Sequence, residues 1–211
     1  MPFAKKAQDL VTESLDKALT LRDPPQDLLG SPDARVRREA ALALSGDRAA
    51  AHVLVARLGV ETDNTVRAAL FSSLVAIGGT RTATLVAIFL RSDDPGLRNG
   101  AIEALKQFHI AAAPAVDALL DEEDSDLRLL AIEVTRAWPG RLAVPRLLQV
   151  IEREQNVNVC AAAVDVATEL GTPELLGALA RLRRRFADQP FLVFASDIAR
   201  TRIQTADRNT P

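Results

Sequence analysis

The sequence predicts an all-α protein, a solenoid of about five to six stacked helix–turn–helix repeats. Three observations predict this fold class. The chain repeats a pattern about every 31 residues, alanine is abundant while tyrosine is absent, and no segment alternates apolar and polar residues over the length of a strand. Alanine strongly favours helix, and a period between about 20 and 50 residues is typical of solenoids, in which each repeat packs on its neighbours.

The composition is that of a globular protein without a strong overall charge. Of the 211 residues, 48% are apolar and 26% charged, and the net charge of −2 predicts no general attraction to nucleic acid or anionic lipid. Cys160 is the only cysteine, so an intramolecular disulfide is impossible. The N-terminus lacks the apolar core of a signal peptide, and the longest run of large apolar residues, LVAIFL at 85–90, is too short to span a membrane. We therefore expect a cytoplasmic protein.

The two ends of the chain differ from the repeats between them. The segment AKKAQDLVTESLDKALTL at 4–21 has the apolar spacing of an amphipathic helix. We expect residues 1–22 to form an N-terminal capping helix, because a terminal repeat needs a polar outer face. Residues 204–211, QTADRNTP, have the composition of a flexible tail. The prediction is one domain, residues 1–203, followed by that tail.

Each repeat contains a helix that begins with the same short pattern. We call the first apolar residue of this helix its anchor. An Asp or Asn precedes the anchor by three residues, and an arginine follows it directly in four copies, whereas Cys160 takes that place in the fifth. A weaker sixth copy begins near Leu192. The anchors are Val36, Val66, Leu97, Leu127 and Val159; the acids and amide are Asp33, Asp63, Asp94, Asp124 and Asn156; the arginines are Arg37, Arg67, Arg98 and Arg128.

A second helical segment accompanies each anchor helix. Pro114, Pro145 and Pro173 fall near the expected starts of three of these segments, where a missing backbone N–H costs little. Glycines punctuate the other ends. The segments are 48–60, 81–92, 111–122, 141–154 and 172–186.

The pattern D-x-x-[VL]-R-x-x-A-x-x-x-L, with its period near 31, resembles HEAT repeats and is most similar to the short HEAT-like repeats named after phycobilisome lyases. The resemblance covers roughly residues 28–203. It implies a right-handed α-solenoid in which the arginine-bearing helices line the concave groove. It also implies that the recurring Asp and Arg form a ladder between adjacent repeats.

Helical periodicity divides each anchor helix into a core side and an opposite side. At about 100° per residue, positions 4, 7, 8 and 11 after the anchor share its side and form the predicted buried stripe. Positions 2, 6 and 9 lie on the opposite side, toward the expected groove. The predicted stripe is Val66, Leu70, Ser73, Leu74 and Ile77 in the second copy and Leu127, Ala131, Val134, Thr135 and Trp138 in the fourth.

The recurring Asp and Arg residues have a structural interpretation. An Asp at a helix start accepts hydrogen bonds from backbone N–H groups and complements the helix dipole. An Arg directly after the anchor lies at the edge of the core, where it can reach the Asp of an adjacent repeat. We therefore expect these residues to serve the fold and do not assign them to a binding site.

Three carboxylates recur at one groove position. Glu103, Glu133 and Asp165 each lie six residues after their anchors, so they should form a row with a step of about 8–10 Å across the packed helices. Such a row favours a basic protein segment in either helical or extended form. The predicted protein-binding groove comprises Asn99, Glu103, Lys106, Leu129, Glu133, Arg136 and Asp165, with Leu129 exposed beside Glu133.

The same charges also allow a purely local interpretation. Glu103 and Lys106 are three residues apart, as are Glu133 and Arg136, so each pair can form within one helix and contribute a few tenths of a kcal/mol. Asp165 has no basic residue three positions on and is expected to lack such a partner. Both interpretations remain open at the level of sequence.

No recognisable catalytic or metal-binding motif accompanies the repeats. His52 and His109 belong to different repeats without ligand spacing, and Trp138 falls on the buried stripe. Cys160 is expected to pack as a small apolar side chain. We therefore expect no cofactor, no metal and no enzymatic activity.

The leading hypothesis is a non-enzymatic scaffold or adaptor whose groove binds a basic segment of another protein. The resemblance alone suggests an alternative, a bilin-lyase-like chaperone or lyase subunit acting on a tetrapyrrole protein. A weaker alternative is nucleic-acid binding through the basic run RLRRRF at 181–186. The arginines of that secondary basic patch are Arg181, Arg183, Arg184 and Arg185.

Overall fold

A computed structural model describes residues 23–208 of the chain. All regular structure in this range is helical, which confirms the predicted all-α class. The expected capping helix at 1–22 lies outside the described residues. The chain divides into two compact units, one ending at Ile77 and the other beginning at Gly78.

The first unit contains two helix pairs. Its fourth helix packs against the second and the third. A short 3-10 turn at Arg48–Ala50 leads into the third helix. The hydroxyl of Ser73 donates a hydrogen bond to the carbonyl of Ala41 at 2.8 Å, which ties the two anchor helices together. The helices are α1 (Pro25–Leu28), α2 (Ala34–Ala43), α3 (Ala51–Leu58) and α4 (Asn64–Ile77).

The second unit is a two-layer stack of helix pairs. One layer consists of anchor helices, in which α6 packs on α8, α8 on α10 and α10 on α12. The other layer consists of α5, α7, α9 and α11, which also pack in chain order. Each pair therefore contacts the next pair, as a solenoid requires. The helices are α5 (Gly79–Ala87), α6 (Pro95–Phe108), α7 (Ala113–Leu120), α8 (Ser125–Thr135), α9 (Gly140–Arg153), α10 (Val157–Leu170), α11 (Leu176–Arg185) and α12 (Pro190–Arg208).

The buried stripes follow the predicted periodicity. All ten residues predicted for the second and fourth copies are buried, including the polar Ser73 and Thr135. The Thr135 hydroxyl donates to the carbonyl of Ile132 at 2.7 Å, and the Trp138 indole donates to the carbonyl of Leu105 at 3.4 Å. The polar groups on the stripe thus have partners inside the core, as burial demands.

Helix starts confirm the predicted capping role of the recurring acids. Asp124, for example, accepts a hydrogen bond from the backbone N–H of Asp126 at 2.8 Å, and Asn156 accepts two such bonds. Pro114 lies in the first turn of α7, as expected, whereas Pro145 lies further in, in the second turn of α9. Gly171 ends α10 with a φ of 64°, a left-handed conformation that costs glycine little.

The C-terminal boundary differs from the sequence prediction. Helix α12 continues to Arg208, so residues 204–208 extend a helix where the sequence predicts the start of a flexible tail. The buried side chains Leu192, Ala199 and Ile203 hold one side of α12 against α10 and α11. The extent of the single domain, residues 1–203, stays a prediction. Among the described helices, none combines the length and the apolar character needed to cross a membrane.

Candidate functional site

A continuous chain of ion pairs runs across three anchor helices of the second unit. It links carboxylates and cations alternately, beginning on α6 and ending on α10. We call this set the acid–base row. Its members are Glu103, Lys106, Glu133, Arg136, Asp165 and Glu169.

Lys106 joins the first two helices of the acid–base row. Its Nζ lies 2.9 Å from Glu103 Oε1 on its own helix and 3.0 Å from Glu133 Oε1 on α8. Although desolvation alone would lower the pKa of Lys106, its hydrogen bonds to the two carboxylates raise that pKa above its usual value. Lys106 therefore stays charged and fixes the position of both carboxylates.

Arg136 joins the next two helices. Its Nε lies 2.9 Å from Glu133 Oε2, and its Nη2 lies 2.9 Å from Asp165 Oδ2 on α10. Arg136 also pairs with Glu169, one turn beyond Asp165. Asp165 therefore pairs with a cation of the neighbouring repeat, whereas its own helix offers no basic residue three positions on, as the sequence indicates.

The local interpretation of these charges holds only in part. The pairs Glu103–Lys106 and Glu133–Arg136 form within single helices, as the local interpretation predicts. The same two cations also bridge to the next repeat. Four carboxylates face two cations in the acid–base row, which leaves a net charge of −2. Much of this excess reaches solvent, since the side chains of Glu103, Asp165 and Glu169 are 68%, 64% and 48% exposed.

The other two predicted groove residues lie outside this network of ion pairs. Asn99 is exposed on α6. Leu129 is half-buried, so the expectation that it lies exposed beside Glu133 is wrong. It lines a recess of about 460 Å³ together with Arg91, Ser92 and Asp126.

The recurring arginines have different partners from those predicted. In the first unit, Arg37 binds Glu61 through two hydrogen bonds of 2.8 Å. In the second unit, Arg128 binds Glu154 at 2.7 and 3.1 Å. Each arginine thus reaches the following repeat, but it meets a Glu five residues before the next anchor and not the capping Asp. Asp63 and Asn156, which occupy the predicted partner positions, instead cap their own helices.

Recurring arginines also bind the backbone just before their own helix. Arg67, Arg98 and Arg128 each donate to the carbonyl five residues before their anchor, at 2.7 to 2.8 Å. The motif therefore fixes the loop that enters each anchor helix. The Glu at that loop position, which is Glu61 for Arg37 and Glu154 for Arg128, is the sequence signal that could have revealed the partner. Glu122 has the same position but pairs with Arg91.

Arg185 takes over this role where the recurring arginine is missing. In the fifth copy Cys160 occupies the arginine position, and the equivalent carbonyl is that of Glu154. Arg185, at the end of α11, donates to this carbonyl at 2.8 Å and to the carbonyl of Ile151 at 2.9 Å. Cys160 is buried, which confirms its predicted packing role, and burial raises the pKa of its thiol to about 11.

The basic run at the end of α11 is largely engaged within the protein. Arg181 pairs with Glu152, and Arg183 binds both carboxylate oxygens of Asp197 at 2.8 and 3.0 Å. Arg185 holds the loop before α10. Arg184 is exposed. Within residues 23–208, no three His, Cys, Asp or Glu side chains gather as a metal site would require.

The chain is similar to known proteins in sequence or in structure. Residues 23–106 match the family of HEAT repeats. Two engineered proteins of known structure are each 18% identical over 86% of this chain, with TM-scores of 0.44 and 0.43 over 95% and 97% of their own. A HEAT-like repeats protein from the archaeon Thermococcus onnurineus NA1 is 16% identical over 94% of this chain and 92% of its own, with a TM-score of 0.48. No curated protein gives a match.

The similarity to the repeats of phycobilisome lyases stays a prediction. The family match shows HEAT repeats over residues 23–106. The helix pairs that pack in chain order within each unit confirm the predicted all-α stack of repeats.

Proposed function

We propose that this protein is a non-enzymatic scaffold or adaptor, and that the face bearing the acid–base row binds a basic segment of another protein. One observation carries the proposal. The acid–base row holds four carboxylates against two cations, and three of the carboxylates are at least about half exposed. Lysine or arginine side chains of a partner would complete the alternation of charge along it.

The exposed carboxylates of the row contribute little to folding. Exposed ion pairs stabilise a protein by about 0–1 kcal/mol, and pairs three residues apart on a helix by a few tenths. The structural motifs of this chain, by contrast, use buried or half-buried carboxylates such as Glu61 and Glu154. Three carboxylates of the acid–base row, Glu103, Asp165 and Glu169, are more exposed than these, whereas Glu133 and the two cations of the row are half-buried.

The two cations prepare the carboxylates for binding. Glu133 is held from both sides, by Lys106 at 3.0 Å and by Arg136 at 2.9 Å. Fixing these side chains before a partner arrives lowers the conformational entropy that binding must remove. The outer carboxylates, Glu103 and Asp165, keep free acceptor capacity because each is about two-thirds exposed.

The test compares two double variants with the same change in net charge. Glu103→Lys with Asp165→Lys reverses the two most exposed acids of the row while keeping Glu133, Glu169 and the two cations. Asp121→Lys with Glu174→Lys reverses two exposed acids on the layer of α7 and α11. Each tagged protein is used for affinity purification from cell extract, followed by mass spectrometry of the bound proteins.

We expect wild type and the Asp121/Glu174 variant to recover the same partner proteins, and the Glu103/Asp165 variant to lose them. Circular dichroism of all three proteins controls for folding. Exposed substitutions usually change the free energy of unfolding by less than about 0.5 kcal/mol. Equal recovery by the Glu103/Asp165 variant would sink the assignment of this face.

A further inference from the structure

The last helix exposes a row of large apolar side chains. Phe191, Phe194 and Ile198 on α12 are 68%, 65% and 50% exposed. Their spacing of three and four residues places them on one side of the helix. We call these three residues the apolar stripe. The opposite side of α12 carries the buried residues Leu192, Ala199 and Ile203, so the core does not need the apolar stripe.

The apolar stripe continues the face on which the acid–base row lies. Leu192 is the anchor of the sixth copy, so Phe194 and Ile198 follow it by two and six residues. Ile198 therefore has the position that Asp165 has on α10. Because α10 packs directly against α12, the two positions lie about one interhelical distance apart, roughly 8–10 Å.

The size of the apolar stripe indicates what can cover it. An aromatic side chain offers about 150–250 Å², so the three exposed residues together present roughly 300–400 Å². Patches of about this size are often functional. A stable protein–protein interface needs about 800 Å² on each partner. Two apolar stripes facing each other fall well short of this area, whereas a surface that also includes the acid–base row is larger than the stripe alone.

We propose that the apolar stripe and the acid–base row form one docking surface for a linear protein segment that carries an apolar cluster at one end and lysine or arginine residues beyond it. This inference rests on the proposed function and specifies the chemistry of the partner. The apolar cluster packs on Phe194 and Ile198, and the basic residues meet Asp165, Glu169 and Glu103 in turn. From α12 to α6 the surface spans three interhelical steps of roughly 8–10 Å, the length of a helix of about 20 residues.

A peptide selection tests this inference without a known partner. Immobilised wild-type protein is used to select from a displayed library of random linear peptides of about 20 residues. The enriched peptides are synthesised with a fluorescent label, and their affinities are measured by anisotropy. We expect the enriched sequences to combine two or three large apolar residues at one end with lysine or arginine residues beyond them.

Three variants divide the surface into its parts. We expect Phe194→Ser with Ile198→Ser to weaken peptide binding about tenfold or more, as truncation of an apolar anchor does. Ile110→Ser is the matched control, since Ile110 is 66% exposed on the same unit, and it should bind as wild type does. Glu103→Lys with Asp165→Lys should weaken binding as well, and more so at low salt.

The possible outcomes separate this inference from the proposed function. If only the Glu103/Asp165 variant weakens binding, the proposed function stands and the apolar part of the docking surface is refuted. If neither variant matters, or if no peptide is enriched, both fail. Light scattering after gel filtration adds one more contrary result: a wild-type dimer that Phe194→Ser with Ile198→Ser converts to a monomer would show that a second copy covers the apolar stripe.

Discussion

Glu61 shows how one residue can organise a repeat boundary. Its buried carboxylate accepts hydrogen bonds from Arg37 at 2.8 Å and from Arg57 at 2.7 and 3.0 Å. The backbone N–H groups of Thr62 and Asp63 add two more at 2.9 Å. The hydrogen bonds from Arg37, followed by the backbone and Arg57 contacts, outweigh desolvation and hold the pKa of Glu61 well below its usual range.

Replacing Glu61 by Gln removes one partner of a buried ion pair. We expect a loss of about 3–5 kcal/mol in the free energy of unfolding at pH 7, because the Arg37 guanidinium then stays buried without a counter-charge. Glu39→Gln, an exposed change on α2, is the matched control and should cost less than about 0.5 kcal/mol. Urea unfolding followed by circular dichroism measures both. Equal unfolding midpoints for the two variants would contradict the structural role of Glu61.

The same pair predicts a dependence on pH. The pKa of Glu61 is lower in the folded chain than in the unfolded chain, where it is about 4.3. Its stabilising contribution is therefore complete above the unfolded pKa and is lost as pH falls below it, since the unfolded chain then takes up the proton first. Thermal unfolding between about pH 6 and pH 3 should show a steeper loss of stability for wild type than for Glu61→Gln.

At the scale of the element, periodicity predicts which side of a helix is buried but not which charges meet. The stripe from Leu127 to Trp138 follows from helical spacing alone, since burial depends on the direction of each side chain. The partners of Arg37 and Arg128 depend on where a loop in the next repeat lies. Sequence shows the recurring Glu five residues before the anchor, but only the packing shows that the arginine reaches it.

The sequence also does not show that Arg185 replaces the arginine missing from the fifth copy. Cys160 breaks the pattern in the fifth copy, and nothing in the run RLRRRF distinguishes Arg185 from its neighbours. The distinction comes from the end of α11, which lies beside the loop between α9 and α10. Arg185 thus serves the fold through its contacts with backbone carbonyls, although it is exposed on the surface like its neighbour Arg184.

The two neighbouring arginines give a matched comparison. Arg185→Gln leaves the carbonyls of Ile151 and Glu154 without a charged donor, and we expect a loss of about 1–2 kcal/mol in the free energy of unfolding. Arg184→Gln removes the same charge from the next position and should change stability by less than about 0.5 kcal/mol. Urea unfolding distinguishes the two. If both variants unfold alike, Arg185 does not replace the missing arginine.

At the scale of the whole molecule, the repeat pattern predicts the architecture, whereas the balance of charge depends on pairing between repeats. The period near 31 residues leads to stacked helix pairs because each pair leaves an apolar side for the next to cover. The candidate site was only partly predictable. Six-residue spacing from the anchor brings Glu103, Glu133 and Asp165 onto one face, but their pairing with Lys106 and Arg136 across the repeats follows from distances between helices.

The exposed apolar residues of α12 also carried little signal in the sequence. Phe191, Phe194 and Ile198 have the spacing of a buried stripe, and so does the set of Leu192, Ala199 and Ile203. Periodicity alone cannot decide which of two apolar sides a helix buries. Packing against α10 and α11 decides it here and leaves the aromatic side exposed.

Charge pairing also bears on the prediction that the basic run does not bind nucleic acid. The chain has 26 Lys and Arg residues against 28 Asp and Glu residues, and the arginines of the basic run are mostly paired. Affinity for a phosphate backbone comes from cations that neutralise phosphates and release counterions. Because Arg181 and Arg183 already bind Glu152 and Asp197, and Arg185 binds backbone carbonyls, few cations remain for this purpose.

We therefore expect no binding of labelled single-stranded or duplex DNA, even at low salt, in a gel-shift assay with the wild-type protein. Glu152→Gln with Asp197→Asn frees Arg181 and Arg183 from their carboxylates, and we expect this variant to gain weak binding that falls as salt rises. Glu174→Gln with Asp121→Asn removes the same charge on exposed side chains elsewhere and should gain less. Wild-type binding that weakens as salt rises would contradict this expectation. A slope of log affinity against log salt concentration that corresponds to several phosphate contacts would show that the basic run binds DNA despite its ion pairs.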